Sequence, residues 1–242
     1  MAPVHQTGES ARCEDGDGEG PVGAVEGADG PDDGVLRRPG DRADVRLGAP
    51  HGDLGGVQDL LLAGPPQGRV GQKVGSDCLT LVDDGTIPNA WGTCTVDDEG
   101  MPTQRNLLIE NGVLKGYLID HINARKMGMK PTGSGRRENY TFAPTSRMSN
   151  TFLLPGYSIP AEIIANTEWG LYAKTMGGGS VQPTTGEFNF AVLEGYLIEK
   201  GRVSKPVRGA TLIGKGHEVL EKIDMVGNNL ARSQGMCGSI SG

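Results

Sequence analysis

The stretch from residue 105 to residue 120, "RNLLIENGVLKGYLID", decides how this chain folds. Apolar residues flank Asn111-Gly112 on both sides in the alternating pattern of half-buried β-strands. Asn-Gly supplies the two positive-φ positions of a type I′ turn, which is the tight connection between two antiparallel strands. The stretch therefore predicts a two-stranded hairpin from about Asn106 to Ile119.

The same turn chemistry recurs elsewhere in the chain. The segment "LIEKGRV" (197–203) echoes "LIENGVL" (108–114), and two apolar runs, "CLTLVDDGT" (78–86) and "GTCTVDDEG" (92–100), lead into Asp-Asp turn signals. Short strands separated by turns at close intervals are typical of antiparallel β proteins. We therefore predict a mainly β fold with minor α, in which an antiparallel sheet forms a meander or a barrel-like domain.

Two segments depart from the β pattern and predict helices. In "SIPAEIIANTEWGLYAK" (158–174), Pro160 suits a first helical turn, and residues from Ile163 to Leu171 recur at the spacing of one helix face. The segment "HEVLEKI" (217–223) predicts a second, shorter helix.

Composition divides the chain near residue 70. All aromatic residues lie at or after Trp91, and residues 2–72 contain no Phe, Trp, Tyr, Ile, Lys, Asn or Met. Residues 1–70 carry 13 acidic residues against 6 arginines, which leaves 17 acids and 17 bases of the chain's 30 and 23 for the remainder. The acidic balance therefore belongs to the first segment and says nothing about the partners of the second.

The first segment, residues 1–69, is predicted to be a disordered tail that precedes a β domain over residues 70–242. It is rich in Gly, Ala, Pro, Arg and Asp, and its apolar residues are too few to offset the entropy of ordering. Two origins remain open. A natural acidic tail has such a composition, and so does a GC-rich gene translated out of frame, because the missing residues are mostly those with AT-rich codons.

The cellular setting follows from cysteine usage and hydropathy. Four widely and irregularly spaced cysteines do not suggest a disulfide framework, so a cytoplasmic protein is expected. No apolar run approaches the roughly 18 to 20 residues of a membrane span, and the N-terminus lacks the basic start of a signal peptide. The basic and aromatic pattern of nucleic-acid recognition is also missing. We expect neither a membrane nor a nucleic acid as partner.

Cys237 is the first candidate for chemistry. It lies in "GMCGSISG" (235–242), a setting with too little apolar bulk to bury a structural cysteine, which favours a metal ligand or a nucleophile. The pair His217-Glu218 lacks the second histidine that a zinc-protease helix needs, since positions 221 and 222 are Glu and Lys. We interpret that pair as an ordinary helix start, and His121 as a surface or packed residue.

A basic loop is the second candidate. In "TGSGRRENY" (132–140), flexible glycines precede Arg136 and Arg137. Guanidinium groups bind a carboxylate or a phosphate through two parallel hydrogen bonds. A solvated loop whose arginines pair with nearby acids is an equally good interpretation.

A run of glycines is the third candidate. The segment "MGGGSV" (176–181) lacks the Lys-Ser/Thr that completes a phosphate loop. Gly177, Gly178 and Gly179 would nevertheless let another backbone approach closely, as an extended peptide bound to the domain would.

Seven blocks of this sequence, in order, resemble the C-terminal half of the TldD/PmbA family, over about residues 70–242. The blocks are "DDGTIPNAWGTCTVDDEGMPTQRNLLIENGVLKGYL", "KPTGSGRRENY", "RMSNTFLLPG", "GGGSVQPTTGEFNF", "KPVRGATLIG", "MVGNNL" and "GMCGSISG".

The resemblance implies a zinc-dependent peptidase that acts on peptides or unfolded proteins, with a TldE/PmbA-like partner subunit or as a homodimer. It implies that Cys237 is the third zinc ligand. The other two ligands in TldD-like proteins are the histidines of a His-Glu-x-x-x-His motif, which this chain lacks. We therefore expect a fragment that is inactive alone, with weak or absent zinc binding. The alternative is a non-catalytic peptide-binding or assembly subunit of the PmbA (TldE) type.

Limited proteolysis tests the predicted boundary near residue 70. Because residues 1–69 contain no aromatic or Ile anchors, a protease should remove them and leave a resistant core that begins near Val70. Mass spectrometry of the surviving fragment gives its first residue. A protected fragment that extends back to residue 30 or earlier would contradict the boundary.

Overall fold

The computed structural model describes residues 22–23, 45–47, 68–182 and 185–231. Most of the ordered elements are β-strands. The strands are β1 (Val22–Gly23), β2 (Val45–Leu47), β3 (Leu81–Asp84), β4 (Arg105–Glu110), β5 (Val113–Leu114), β6 (Gly135–Arg136), β7 (Thr145–Ser146), β8 (Thr151–Leu153), β9 (Trp169–Val181), β10 (Glu187–Glu199), β11 (Arg202–Val207), β12 (Thr211–Lys215) and β13 (Ile223–Val226). The helices are α1 (His121–Met127), α2 (Pro160–Ala165) and α3 (Gly216–Lys222).

The strands form one large and two smaller sheets. The large sheet has the order β11-β10-β9-β1-β2-β13, with β12 also paired to β10. A second sheet has the order β5-β4-β3-β8, and β6 pairs with β7. All of these pairs are antiparallel except that of β13 with β2. The prediction of a mainly β, antiparallel fold with few helices is confirmed.

The hairpin predicted around Asn111-Gly112 is present. Glu110 pairs with Val113 across the turn, and Asn111 and Gly112 have φ values of 49° and 76°. A side chain at Gly112 would collide with the carbonyl oxygens of Gly75 and Ser76, so the turn also needs glycine for its packing. The predicted second strand is shorter than expected, because β5 ends at Leu114.

A second hairpin joins the two longest strands of the chain. β9 and β10 each have 13 residues and pair from Trp169↔Glu199 to Val181↔Phe188. The segment "LIEKGRV" (197–203), which resembles "LIENGVL" (108–114), forms the next turn, between β10 and β11. There Lys200 and Gly201 have φ values of 52° and 72°.

The predicted first helix is correct at its start and wrong at its end. α2 begins at Pro160, but it ends at Ala165, and Leu171 is a fully buried residue of β9. Residues from Trp169 onward pair with β10, and this pairing removes them from the helix. The short helix predicted from His217 is present as α3. In the described residues, no helix is long and apolar enough to cross a membrane.

One helix, α1, was not predicted from the sequence. Asp120 caps its N-terminus by accepting a hydrogen bond from the Asn123 N–H at 2.8 Å, and Gly128 ends it in the left-handed conformation. Asp120 is buried and also accepts a hydrogen bond from the Ser146 hydroxyl at 2.7 Å. The helix is thereby tied to β7.

The main core lies between the four-stranded sheet and α3. Its members are buried apolar residues of β3, β4, β5, β8, α1, α3 and β13 and of the segments before β3 and after β5. They include Leu79, Leu81, Leu108, Ile109, Leu114, Tyr117, Leu118, Ile119, Leu153, Leu220, Ile223 and Val226. A smaller cluster under β9 and β10 contains Leu171, Ala173, Val192 and Ala210, and a third joins Ile163 to Ile198.

Five residues of the predicted tail lie in the large sheet. β1 pairs with Leu171 and Tyr172 of β9, and β2 pairs with β13. The other residues of 1–67 lie outside the described part of the chain, so the prediction of a disordered tail stays a prediction for them.

Replacement of Asp120 tests the cap of α1. Burial raises the pKa of Asp120, but hydrogen bonds from Ser146 and Asn123 outweigh burial and hold the pKa below its ordinary value of 3.8. We expect Asp120→Ala to lower the free energy of unfolding by about 1–2 kcal/mol at pH 7. Asp120→Asn, which keeps a capping oxygen, should lose less.

The effect of Asp120→Ala should depend on pH. Because the pKa is lower in the folded state, the carboxylate stabilises the fold above the unfolded pKa, and this contribution is lost as pH falls through the folded pKa. The stability difference between wild type and Asp120→Ala should therefore shrink between pH 7 and about pH 3 in denaturant titrations. A constant difference would show that the charge plays no part.

Candidate functional site

The predicted glycine segment lies in the second half of β9. Gly177 is half-buried and Gly178 and Gly179 are exposed. The pairing of β9 with β10 is irregular here, because the register shifts between Phe190 and Val192 and again beyond it. Glycine is common where a strand bulges in this way.

The three glycines differ in what surrounds them. A side chain at Gly179 would collide with the backbone oxygen of Asn189 and with the ring of Phe190, and one at Gly177 would press on the Leu193 side chain at 3.0 Å. At Gly178 no atom lies within 4 Å of the position of an added Cβ. Gly177 and Gly179 therefore have an internal packing role, and Gly178 leaves open space on the surface of the strand.

The two predicted arginines have different surroundings. Arg136, in β6, is half-buried, and its Nη1 donates to the Cys94 Sγ at 3.9 Å. Burial raises the pKa of the Cys94 thiol; the Arg136 charge opposes this, and nearby acids, Asp98 foremost, add to it. The guanidinium of Arg136 is therefore placed as a counter-charge to this acidic cluster.

Arg137 is the more accessible of the two. Its backbone N–H donates to Asp98 Oδ2 at 2.8 Å, which ties the loop to the turn after Val96. Its exposed side chain makes no ion pair with any residue that the structure describes. Consecutive residues of an extended chain point to opposite sides, so Arg136 and Arg137 do not form one two-armed clamp.

Asp83 is a buried acid near this loop, at a position where the sequence pattern indicated only a turn. It is 1% exposed. Burial raises its pKa, while hydrogen bonds from the Thr151 hydroxyl (2.6 Å) and from the Ser149 hydroxyl (2.7 Å) and N–H (2.8 Å) lower it in part. Every partner lies within the protein, so Asp83 joins β3 to β8 and is not exposed to a substrate.

The signal for such buried acids was the Asp-Asp pair at the end of each apolar run. Asp97, the counterpart in the second run, is also buried, and it accepts hydrogen bonds from the backbone N–H groups of Glu99, Met101 and Gly135. In both runs the first Asp of the pair organises a loop through backbone or hydroxyl donors.

A metal site is not found among the described residues. No group of three or more His, Cys, Asp or Glu side chains there could hold an ion. Cys237, the predicted zinc ligand, lies outside the described residues. His121 begins α1, where its backbone N–H donates to Glu99 Oε2 at 2.8 Å, and His217 lies in α3 with its Nε2 4.0 Å from Glu218 Oε1. The described residues therefore do not fit a bound zinc ion.

Together these features define a mainly antiparallel β domain with an open glycine position on its longest hairpin and no internal metal-binding group in the described ranges. The sequence profile of the PmbA/TldA metallopeptidase C-terminal domain matches residues 60–240. The chain belongs to this PmbA/TldD family.

Individual relatives agree with the family match. A metalloprotease TldD homolog from Haemophilus influenzae is 51% identical over 173 residues, which cover 71% of this chain and 36% of that protein. The chain thus spans little more than a third of the length of this relative.

Two solved structures have the same fold. A candidate modulator of a DNA gyrase from Thermotoga maritima aligns with a TM-score of 0.63 at 30% identity, covering 75% of this chain and 41% of that one. TldE from Thermococcus kodakarensis aligns with a TM-score of 0.58 at 27% identity, covering 71% and 42%.

A pair of valine substitutions tests the difference between the glycines. Gly178→Val should leave the free energy of unfolding within about 0.5 kcal/mol of wild type, because the space is open and valine suits a strand. Gly179→Val should lower it by about 1–3 kcal/mol, because an added side chain would collide with the Asn189 carbonyl oxygen and the Phe190 ring. Urea denaturation measures both, and equal losses would contradict the assignment.

Proposed function

We propose that this chain is a segment of a TldD-like zinc metallopeptidase that processes peptides or unfolded proteins. The observation that carries the proposal is the 51% identity to a protein named metalloprotease TldD homolog over most of the chain. The sequence block around Cys237 lies inside the matched range, which reaches residue 240.

Zinc is the proposed metal, and Cys237 its proposed ligand in this chain. A thiolate is a good zinc ligand, but tight binding needs about four donors in a tetrahedral arrangement. The four histidines of the chain are at positions 5, 51, 121 and 217, and none belongs to a His-Glu-x-x-x-His motif. We therefore propose that the chain alone binds zinc weakly and lacks peptidase activity. No catalytic step through a metal is assigned to its residues.

The substrate is proposed to lie in extended form against β9. Gly178 is the point of closest approach, since its surface is open, and Gly177 and Gly179 let the strand bulge beneath it. In the separate loop of residues 132–140, exposed Arg137 is proposed to bind a carboxylate of the substrate, and Arg136 to contribute charge from within that loop. A polypeptide is the substrate class that fits this surface, because every residue of it offers a backbone that can approach glycine closely.

The second candidate function is a non-catalytic subunit. The fold likeness to TldE from Thermococcus kodakarensis favours it, at 27% identity. The presence of Cys237 favours the peptidase branch, since the resemblance associates that cysteine with the ligand set. We propose a cytoplasmic protein that works with a TldE/PmbA-like partner or as a homodimer.

Restoration of the missing motif tests the proposal. The full chain is joined in frame to an upstream segment that carries His-Glu-x-x-x-His, and zinc content and peptidase activity are measured. The unmodified chain should bind zinc poorly and below one equivalent, and the restored protein should bind it tightly, because the ligand set is complete. In that background Cys237→Ala should remove both metal and activity while the circular dichroism spectrum is unchanged.

Two matched variants distinguish zinc binding by Cys237 from peptide binding at Gly178. Cys78→Ala removes a free thiol elsewhere in the chain and should leave zinc and activity intact. Gly178→Val should keep zinc but lose peptide binding. Full zinc occupancy and activity in the restored protein without Cys237 would exclude the ligand assignment, and stoichiometric tight zinc in the unmodified chain would exclude the proposal that the ligand set is incomplete.

A further inference from the structure

One face of the sheet formed by β9, β10 and β12 is exposed beside the glycines. Along β10, Phe188, Phe190 and Val192 are buried or half-buried, and residues 187, 189 and 191 between and before them are exposed. Side chains alternate between the two faces of a strand, so these exposed residues share one face, the outer face. Ile213 of β12 pairs directly with Asn189 and is 51% exposed, so it lies on the outer face as well.

Leu193 lies next to the glycines and is 59% exposed. Its side chain is 3.0 Å from the position that a Cβ of Gly177 would occupy, whereas at Gly178 the same position has no atom within 4 Å. Consecutive Cα atoms are about 3.8 Å apart, so Leu193 is within the length of one side chain of the open position. A peptide that approaches the backbone at Gly178 therefore brings one of its own side chains within reach of Leu193.

The charged side chains around the outer face are paired with one another. Lys174 Nζ lies 3.0 Å from Glu194 Oε1, and the Tyr196 hydroxyl donates to the same oxygen at 2.6 Å. Lys215 Nζ lies 3.8 Å from Glu187 Oε1. These two pairs contain all the charged residues of the stretches 174–181, 187–196 and 211–215. A charged side chain of a bound peptide would therefore lose water here and meet charges that are already neutralised.

An apolar side chain has the opposite balance at this position. It would cover the exposed part of Leu193 and remove apolar surface of both partners from water, which is favourable. Ala191 is exposed between Leu193 and Ile213, and its single methyl group leaves the approach free. The surface beside Gly178 is therefore complementary to an apolar side chain and not to an ionised one.

We propose that Leu193 is a specificity-determining residue, which selects peptides that place an apolar side chain beside Gly178. The inference rests on the proposed function, because it assumes that a peptide binds at Gly178, and it narrows the substrate class. The favoured substrates are segments that carry apolar side chains, which an unfolded protein exposes and a folded one buries. The selection requires neither zinc nor catalysis.

Peptide titrations followed by NMR test the selection on the chain itself. The isotope-labelled chain is titrated with the peptides Thr-Ser-Thr-X-Thr-Ser-Thr, in which X is Leu, Asp or Lys. The backbone amides of Gly177, Gly178 and Leu193 should shift during the titrations. The Leu peptide should bind about tenfold more tightly than either charged peptide, because only its guest side chain gains from contact with Leu193.

Substitutions of Leu193 test whether this residue causes the preference. Leu193→Lys should reverse it, so that the Asp peptide binds most tightly. Leu193→Thr retains a residue type suited to strands and should reduce the preference to less than about threefold. Ile122→Lys is the matched control, because Ile122 is 51% exposed in α1 and the substitution adds the same charge elsewhere. The control should keep the preference for the Leu peptide.

The outcomes distinguish this inference from the proposed function. Equal affinity for the peptides, or a preference for Leu that survives Leu193→Lys, would overturn the selection by Leu193 and leave peptide binding at Gly178 in place. Titrations in which no peptide shifts residues 177–179 would overturn both. A preference for Leu that depends on Leu193, in a restored protein without peptidase activity, would support the selection and contradict the peptidase proposal alone.

Discussion

The antiparallel pairing of β9 with β10 is the interaction on which most of this domain depends. β10 receives β9 on one edge and both β12 and β11 on the other, so four strands are positioned by one hairpin. The same pairing takes residues after Trp169 out of the preceding helix and buries Leu171 and Ile198 in neighbouring clusters. Backbone hydrogen bonding over thirteen residues outweighs a helical spacing of a few side chains, because each added pair extends a ladder that already exists.

The irregular part of that hairpin is also where peptide binding is proposed. Three shifts of register occur between Phe190 and Gly195, and Leu193, which lies against Gly177 in this stretch, is 59% exposed. A strand that bulges needs residues without Cβ at its closest contacts, and this requirement accounts for Gly177 and Gly179. The open position at Gly178 is not explained by packing, and it is therefore the proposed point of contact with a peptide.

The buried polar residues in the first half of the domain stabilise its loops and are not placed to contact a substrate. Asp83, Asp97 and Asp120 are each buried and satisfied by backbone or hydroxyl donors, and Arg136 lies beside Cys94 with acids around it. A buried carboxylate with two or three donors is costly to disturb, so these groups make the loops rigid. The proposed metal chemistry consequently depends on Cys237 and on ligands from another segment, and the described β domain would act as the framework and the peptide surface.

The sequence by itself determined the antiparallel β class, both hairpin turns, the starts of two helices and the family. These features depend on residues that are neighbours in the sequence. Asn111-Gly112 and Lys200-Gly201 adopt positive φ in tight turns, and Pro160 suits the first turn of a helix. The family motifs are likewise short stretches of sequence that can be recognised without a structure. Tertiary structure alone decided that Leu171 is a strand residue, that Asp120 caps an additional helix bound to Ser146, and that Gly178 differs from its two neighbours. Each of these outcomes depends on contacts between segments that are far apart in the sequence. Backbone pairing and steric contact act between residues that are close in space, and the residues next to them in the sequence do not reveal which distant segment will be there.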